Sequence, residues 1–389
     1  MPQIAAFRGV VPEPAKLADA AAGRISLAAG IASGALARDP GRALYRYHQI
    51  FAGGGRTVIR KSLLCAIRLV PWADGIVRRH EAVTPAALAT ALAGLRANRG
   101  TLEPIVAGVR DAAGEIERLL RKGEGSAPTF EATTADGVIH RFWRMKDAEL
   151  LGKLRTYLAP KKLHVLEGAD RYEAMLAYQD ELATTQPIAM YSSAAYIPCA
   201  LVNLDDPALA VAPRHRIVRA ADPATATREI VLGKVGAYFI VEKLAGGAGD
   251  AAQLQGALGE TVAHQPAFVA VFAGEPDAWK LTLKPDVSPI AEGVAVHRGM
   301  QKLDPVVIES MFLARALPGA AVTTALDGAA ALAQLAAGAH VVLLVRPITV
   351  AQLTSVDELG QVLPAGSTAF YPPIAPLVGY VVDADEDLV

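Results

Sequence analysis

Cysteine, aromatic residues and net charge are all scarce in this chain of 389 residues. The two cysteines, Cys65 and Cys199, both lie in apolar surroundings and form no Cys-x-x-Cys pair. This excludes a disulfide framework and favours two buried thiols in a reducing compartment. The 38 Lys and Arg residues nearly balance the 39 Asp and Glu residues, giving a net charge of -1, which argues against a dedicated nucleic-acid surface.

Long apolar runs are also missing, which argues against a membrane-spanning segment. The richest stretch, residues 329–345, contains Gln334 and His340 and is typical of a buried helix followed by a core strand. Residues 26–37 make a poor signal peptide because Glu13 and Asp19 precede them. We therefore expect a cytoplasmic protein with no membrane partner.

Motifs for common chemistries are absent from the sequence. The eight histidines are dispersed, with no His-x-His or His-Glu-x-x-His pattern, so no metal site is predicted. No phosphate-binding Gly-Lys-Ser/Thr loop and no Gly-x-Ser-x-Gly element occur.

What is present is a large apolar content, 52 % of residues, which is typical of a folded chain with a sizeable core. Predicted helices and strands interleave, and three strand pairs have hairpin spacing, so we predict an α+β fold with mixed sheets, interleaved helices and several β-hairpins. The three pairs are 44–51 with 58–70, 129–133 with 138–144, and 268–272 with 279–283. We also predict a loop at 123–128, a helix at 249–264, and three lobes comprising residues 1–160, 161–245 and 246–389.

The most informative stretch is residues 162–178, where a predicted strand, Lys162 to Leu166, enters a helix through a predicted turn, Glu167 to Arg171. Free backbone N–H groups at such a helix start often serve a site. A structural interpretation is also open: Asp170 with Glu173 three residues later has the pattern of a capping box.

Several stretches in this order resemble the domain-of-unknown-function family 1015, in which the central turn reads Asp-Gly-His-His-Arg-Tyr-x-Ala-Ala. The resemblance spans nearly the whole chain and implies a family without implying an activity. The matching stretches are residues 4–9, 75–81, 102–105, 136–143, 167–174, 201–207, 213–216 and 363–372.

Departures from the family pattern concern polar groups. The family's aspartate and two histidines are replaced by Glu167, Ala169 and Asp170. Elsewhere an Asp-Arg pair is replaced by Thr90 and Ala91, an asparagine by Thr101, and a lysine by Gly366. General acid–base catalysis and phosphate binding need the lost groups, so the resemblance implies that any ancestral activity is reduced or absent.

Retained polar residues supply the candidate site. We predict Glu81 and Glu167 as candidate catalytic bases, and Arg171 with Arg216 as an anion clamp. Each cation could instead pair with a carboxylate, and each hydroxyl could instead form a turn. The other candidate ligand-binding residues are His80, Gly168, Asp170, His215, Ser367 and Thr368.

Three functional hypotheses follow. The first is a non-catalytic or weakly active pseudoenzyme that binds a small anionic ligand or a protein partner. The second is a small-molecule phosphotransferase using a nucleotide with magnesium, because the family's Gly-His-His-Arg turn is similar to that of the ParB/sulfiredoxin superfamily, which includes free-serine kinases. The third is a structural or assembly role. Nothing in the sequence specifies a cofactor or an oligomeric state.

Overall fold

The computed structural model describes residues 2–53, 55–121, 126–259, 261 and 265–388. The predicted loop 123–128 and the predicted helix 249–264 therefore lie partly outside the described residues. The chain divides into two compact units: a first unit of Met1–Arg79, Val83–Ala210 and Phe370–Val389, and a second unit of His80–Ala82 and Val211–Ala369. The division into three lobes at residues 1–160, 161–245 and 246–389 stays a prediction.

The strands follow one another along the chain, and their bounds are: β1 Ile4–Ala5, β2 Val10–Pro12, β3 Leu36–Arg38, β4 Leu44–Gly53, β5 Arg56–Arg68, β6 Val77–Arg79, β7 Gly100–Thr101, β8 Ile105–Val109, β9 Phe130–Thr133, β10 Ile139–Met145, β11 Leu163–Glu167, β12 Tyr196–Asn203, β13 Ala210–Ala212, β14 His215–Arg219, β15 Phe239–Leu244, β16 Ala267–Phe272, β17 Ala278–Leu283, β18 Ala321–Ala325, β19 Val341–Val345, β20 Ala369–Tyr371 and β21 Tyr380–Val381.

Helices interleave with these strands, and their bounds are: α1 Leu17–Ala21, α2 Leu27–Ser33, α3 Pro85–Asn98, α4 Glu115–Leu120, α5 Ala148–Leu158, α6 Ala169–Ala183, α7 Arg228–Val235, α8 Ala251–Gly259, α9 Asp304–Val307, α10 Ala314–Ala316, α11 Gly328–Ala333 and α12 Val350–Glu358. Short 3-10 turns occupy Pro14–Lys16, Trp72–Asp74, Ser193–Ala195 and Pro223–Ala226, and Ile308–Leu313 is a π-helical segment between α9 and α10.

The first unit is built on a mixed sheet. Its strands run in the order β6-β11-β8-β12-β5-β4-β10-β9, and β1 pairs with β5. The pairs β6/β11 and β8/β12 are parallel, whereas the other pairs are antiparallel. The predicted hairpins β4/β5 and β9/β10 are confirmed. Strand β11, which carries the central motif, is thus held between two neighbours.

The second unit contains an antiparallel sheet in the order β15-β17-β16-β19-β14-β18. Alternate residues of β16 enter two separate apolar clusters: Phe268 and Ala270 belong to one, Val269 and Val271 to the other. Since successive strand residues point to opposite faces, this sheet is buried on both sides. The hairpin β16/β17 was predicted, and the α+β fold class is confirmed.

Several helix starts follow from the local sequence. Thr84 accepts a hydrogen bond from the Ala87 amide, with Pro85 in the first position of α3. Thr349 and Gln352 form a capping box at the start of α12. Cys65 and Cys199 are buried thiols, as predicted, and lie opposite each other on β5 and β12. None of the helices in the described part of the chain has the length and apolarity needed to cross a bilayer.

Candidate functional site

The central motif forms the predicted strand and helix, but the turn between them is shorter than the predicted Glu167 to Arg171. Strand β11 ends at Glu167, and α6 begins at Ala169, so the turn is the single residue Gly168. Gly168 has φ of +86°, a left-handed conformation that favours glycine. The turn thus depends on one residue without a Cβ atom.

The predicted capping role of Asp170 is wrong. The N-cap of α6 is Gly168, and no side chain caps this end. Because the glycine turn starts the helix two residues earlier than predicted, Asp170 lies inside the first helical turn. Its carboxylate still interacts favourably with the positive N-terminal end of the helix dipole.

A cavity of about 660 Å³ opens beside this first turn, within the first unit. Most of its wall is apolar or small, which suits the body of a small organic molecule. The residues that line it are Ile25, Ser26, Leu27, Ala86, Ala87, Thr90, Ala91, Gly94, Leu95, Asn98, Gly100, Thr101, Leu102, Glu103, Asp170, Arg171, Met175 and Ile197.

Four of these residues are positions at which the chain departs from the family pattern: Thr90, Ala91, Thr101 and Asp170. They were identified from the sequence as replacements of Asp-Arg, Asn and His. Although they are spread over more than eighty positions of the sequence, they meet at one cavity.

Arg171 is the retained cation of this cavity. Its Nη1 donates to Glu103 Oε2 over 3.3 Å, and its Nη2 donates to the Pro104 carbonyl over 3.4 Å. Both distances are long for a hydrogen bond, and the buried Nε has no partner. The Arg171 guanidinium therefore keeps donor capacity for a ligand.

Three other polar side chains of the lining, Asn98, Thr90 and Thr101, are already engaged in hydrogen bonds. Asn98 donates to the Gly94 carbonyl and accepts from the Ala28 amide. Thr90 donates to the Ala86 carbonyl, and Thr101 donates to the Glu103 carbonyl. These groups are thus less suited to binding or proton transfer than Arg171.

The charged residues of the lining are one cation, Arg171, and two anions, Glu103 and Asp170. The lining therefore has a net charge of one negative unit. A dianionic phosphate entering here would meet two carboxylates and one guanidinium. The lining therefore disfavours a multiply charged anion more than a singly charged one.

Glu167 stands at the end of β11 and is held by the chain near its C-terminus. Its Oε1 accepts a hydrogen bond from the Phe370 amide over 3.1 Å. This contact uses acceptor capacity that a general base needs, so the assignment of Glu167 as a base stays a prediction.

The other predicted acid, Glu81, belongs to the second unit and binds a turn. Glu81 Oε2 accepts from the Gly366 amide over 2.8 Å, and Oε1 accepts from the Thr368 amide over 2.6 Å and from the Thr368 hydroxyl. His80 Nε2 lies 2.7 Å from the same hydroxyl oxygen. The Ser367 hydroxyl donates to the Pro364 carbonyl. Four of the predicted site residues thus come together in one hydrogen-bonded turn.

The pKa of Glu81 is set by opposing effects. Burial acts to raise the pKa, but the hydrogen bond and charge of His80, together with hydrogen bonds from Thr368, outweigh burial and hold the pKa below its ordinary value of 4.5. Glu81 is therefore a carboxylate at neutral pH with three donors directed at it.

His215 and Arg216 also lie in the second unit, on β14. Buried His215 accepts from the Val345 amide at Nδ1, and burial lowers its pKa to about 4. Arg216 Nε donates to Glu309 Oε1 over 3.1 Å, and Nη1 donates to the Gly366 carbonyl over 2.7 Å. Because Arg171 and Arg216 belong to different units, their pairing as an anion clamp stays a prediction.

Sequence reasoning missed Glu103 and Asn98 as cavity residues. The signal for Glu103 was its position inside the Leu102–Ile105 family match, next to Thr101. Among the described residues, no group of three or more His, Cys, Asp or Glu side chains is placed to hold a metal ion.

The solved structures that match this chain share little sequence with it. A C-terminally truncated SbnI from Staphylococcus aureus is 12 % identical, with 83 % of this chain and 90 % of that chain covered and a TM-score of 0.40. A free serine kinase in complex with AMP is 11 % identical, with coverage of 82 % and 91 % and a TM-score of 0.41. A conserved hypothetical protein from Pyrococcus furiosus is 10 % identical, with coverage of 82 % and 93 % and a TM-score of 0.41. Likeness at this level carries no argument about activity.

A search of curated protein sequences gives no match. A family model described as "Protein of unknown function (DUF1015)" matches residues 11–306, which is more than half of the chain and includes the central motif and every cavity residue. The chain therefore belongs to the DUF1015 family.

Proposed function

We propose that this protein is a non-catalytic member of its family that binds a small molecule with an apolar body and one singly charged anionic group. The ligand occupies the cavity beside α6, and Arg171 contacts its anionic group. The observation that carries the proposal is the meeting of four family departures and one retained arginine at one cavity.

The missing catalytic groups support the non-catalytic part of the proposal. Where the family has an Asp-Arg pair, the cavity has Thr90 and Ala91, of which the first is bonded to its own helix and the second is apolar. Neither supplies a proton acceptor or a second cation at neutral pH. The cavity therefore has neither a general base nor a second cation at these two positions.

The weak hydrogen bonding of the Arg171 guanidinium supports a ligand with an anionic group. Its ion pair with Glu103 is long, and the Glu103 side chain is 64 % exposed. Exposed pairs of this kind contribute about 0–1 kcal/mol, so a ligand carboxylate can replace Glu103 at little cost. The unpartnered Nε shares one edge of the guanidinium with Nη2, whose contact with Pro104 is long, and the two together supply the pair of donors that a bidentate contact requires.

The local negative excess favours a carboxylate over a nucleotide. Glu103 and Asp170 would both repel the phosphates of a nucleotide. The two predicted bases of the phosphotransferase hypothesis, Glu81 and Glu167, each accept hydrogen bonds from backbone amides. We therefore place the phosphotransferase second and include a nucleotide in the test.

The test is calorimetric titration of the full chain with phenylacetate and hexanoate, which have an apolar body and one carboxylate, and with ADP plus magnesium. Arg171→Gln should weaken carboxylate binding by about tenfold or more, because a charged hydrogen bond contributes roughly 1.5–3 kcal/mol. Glu103→Gln should strengthen binding, because it removes the competing carboxylate. Arg96→Gln is the matched control, since Arg96 is an arginine of α3 that pairs with Glu181 and does not line the cavity.

Carboxylate binding that is equal in wild type and Arg171→Gln would overturn the proposed contact. Turnover of ADP or ATP by the purified protein, lost in Glu81→Gln or Glu167→Gln, would overturn the non-catalytic assignment in favour of the phosphotransferase.

A further inference from the structure

Five polar side chains share one buried face of the sheet in the first unit. In the register of β4 with β5, Tyr47 lies opposite Ser62 and Gln49 lies opposite Arg60. In the register of β4 with β10, His140 lies opposite Gln49. Opposed residues of antiparallel strands share a face, so the five form one patch across three strands. All are buried, with exposed fractions of 0 to 4 %.

Arg60 is the charged member of this patch, and its partners are neutral. Its Nε donates to Gln49 Oε1 over 2.9 Å, and its Nη2 donates to the same oxygen and to the Pro372 carbonyl. Burial lowers the pKa of Arg60, while electrostatic interactions with Tyr47 and with the Glu167 carboxylate act to raise it.

Two polar atoms of the patch have no hydrogen-bond partner: Arg60 Nη1 and Ser62 Oγ. An unpaired buried donor costs about 1–3 kcal/mol, and more when it is charged. The two residues are two positions apart on β5, so their Cα atoms are roughly 7 Å apart and their side chains point the same way. One small group between them could accept from both.

The remaining members add no negative charge at neutral pH. Burial lowers the pKa of His140 to about 4, with Asp136 acting to raise it and Arg60 to lower it further. Burial also raises the pKa of Tyr47. Within the patch, Arg60 is therefore a cation among neutral polar side chains, and the Glu167 carboxylate acts on it from outside the patch. An oxyanion acceptor is the group that would satisfy both Arg60 Nη1 and Ser62 Oγ.

We propose that Arg60 Nη1 and Ser62 Oγ form a binding site for one oxyanion group, a carboxylate or a phosphate, on this buried face. The site is separate from the Arg171 cavity, because none of the five patch residues lines that cavity. Its existence does not depend on the function proposed above.

Access to the site involves the segment 370–373, which belongs to the same unit. Its Pro372 and Pro373 carbonyls accept from Arg60 and Gln49, and its Phe370 amide donates to Glu167. Because Nη1 is enclosed, the anion enters when this segment moves locally and then adds to the Arg60 contacts. Glu167, whose charge acts on Arg60, opposes a second negative charge there.

The experiment measures the melting temperature of the full chain against inorganic phosphate and, separately, acetate, with ionic strength held constant by sodium chloride. A site that binds the folded state raises the melting temperature in proportion to its occupancy. Arg60→Met should lose this rise, Ser62→Ala should weaken the apparent affinity by about tenfold, and Glu167→Gln should strengthen it. Arg171→Gln should behave as wild type, which distinguishes this site from the Arg171 cavity.

Comparison with Arg60→Met removes the general stabilisation that phosphate gives any folded protein. A larger rise with acetate than with phosphate assigns a carboxylate, and the reverse assigns a phosphate. Equal rises in wild type and Arg60→Met overturn the proposal, as does the absence of any rise in wild type. If Arg60→Met does not fold, an unchanged apparent affinity in both Ser62→Ala and Glu167→Gln overturns it.

Discussion

The Glu81 turn of the second unit and the Arg171 cavity of the first unit both contain residues that match the family. They differ in hydrogen bonding: the Glu81 carboxylate is fully engaged, whereas the Arg171 guanidinium is not. The Glu81 carboxylate meets three donors at short distances. Arg171 makes two long contacts and leaves Nε without a partner. A retained motif residue can therefore serve either the fold or a ligand, and the completeness of its hydrogen bonding distinguishes the two roles.

The largest loss of stability is expected when the hydrogen bonds of the Glu81 turn are removed. Glu81→Ala leaves the Gly366 and Thr368 amides without their acceptor, so unfolding free energy should fall by about 2–5 kcal/mol. Urea denaturation of the full chain measures it, with Glu358→Ala, an exposed carboxylate at the end of α12, as control. A Glu81→Ala protein as stable as wild type would mean that Glu81 is not a structural residue.

The same turn predicts a pH dependence. The pKa of Glu81 is lower in the folded protein than its ordinary value of 4.5, so the unfolded chain takes up the proton first. The carboxylate stabilises the fold fully above about pH 4.5, and this contribution is lost as the pH falls toward the folded pKa. Wild type should lose stability more steeply than Glu81→Gln below pH 4.5, and parallel curves would contradict the assignment.

A smaller effect is expected at the turn that precedes the cavity. Gly168→Ala places a Cβ in a left-handed conformation and 2.7 Å from Arg171 Nη2. Stability should fall by about 1–2 kcal/mol, and carboxylate binding should weaken because the guanidinium must move. Gly152→Ala on α5 is the control, since its Cβ would meet no atom within 4 Å, and it should stabilise the protein. Similar behaviour of the two variants would show that Gly168 has no special role.

The smallest effect concerns Asp170. As a first-turn carboxylate rather than a cap, it should contribute about 0.3–1 kcal/mol through the helix dipole. Asp170→Asn should therefore lower stability slightly in low salt and less in high salt. The same substitution should strengthen carboxylate binding, because it removes a negative charge from the lining. A stability loss that salt does not reduce would contradict this role.

Local patterns in the sequence predicted local structure well. The alternation of Lys162 to Leu166 and the helical spacing after it predicted β11 and α6. The cap was misplaced because a left-handed Gly168 starts the helix without a side-chain acceptor, and composition alone does not give φ.

Long-range contacts could not be predicted from spacing. Glu81 bonds to Gly366, 285 residues away, and the sequence gives no register for such a pairing. The cavity likewise needs α2, α3 and α6, which come from three distant stretches. Family departures pointed to the cavity residues one by one, but only the fold shows that Thr90, Thr101 and Asp170 share a wall.

The central claim is that the cavity with the under-satisfied Arg171 is the ligand site. A crystal of the full chain soaked with 4-bromophenylacetate tests it most directly, because bromine can be located by its anomalous scattering. We predict a bromine peak in the cavity beside α3 and α6, with the carboxylate on Arg171. A bromine peak elsewhere, or an empty cavity at a concentration that saturates binding in solution, would contradict the account.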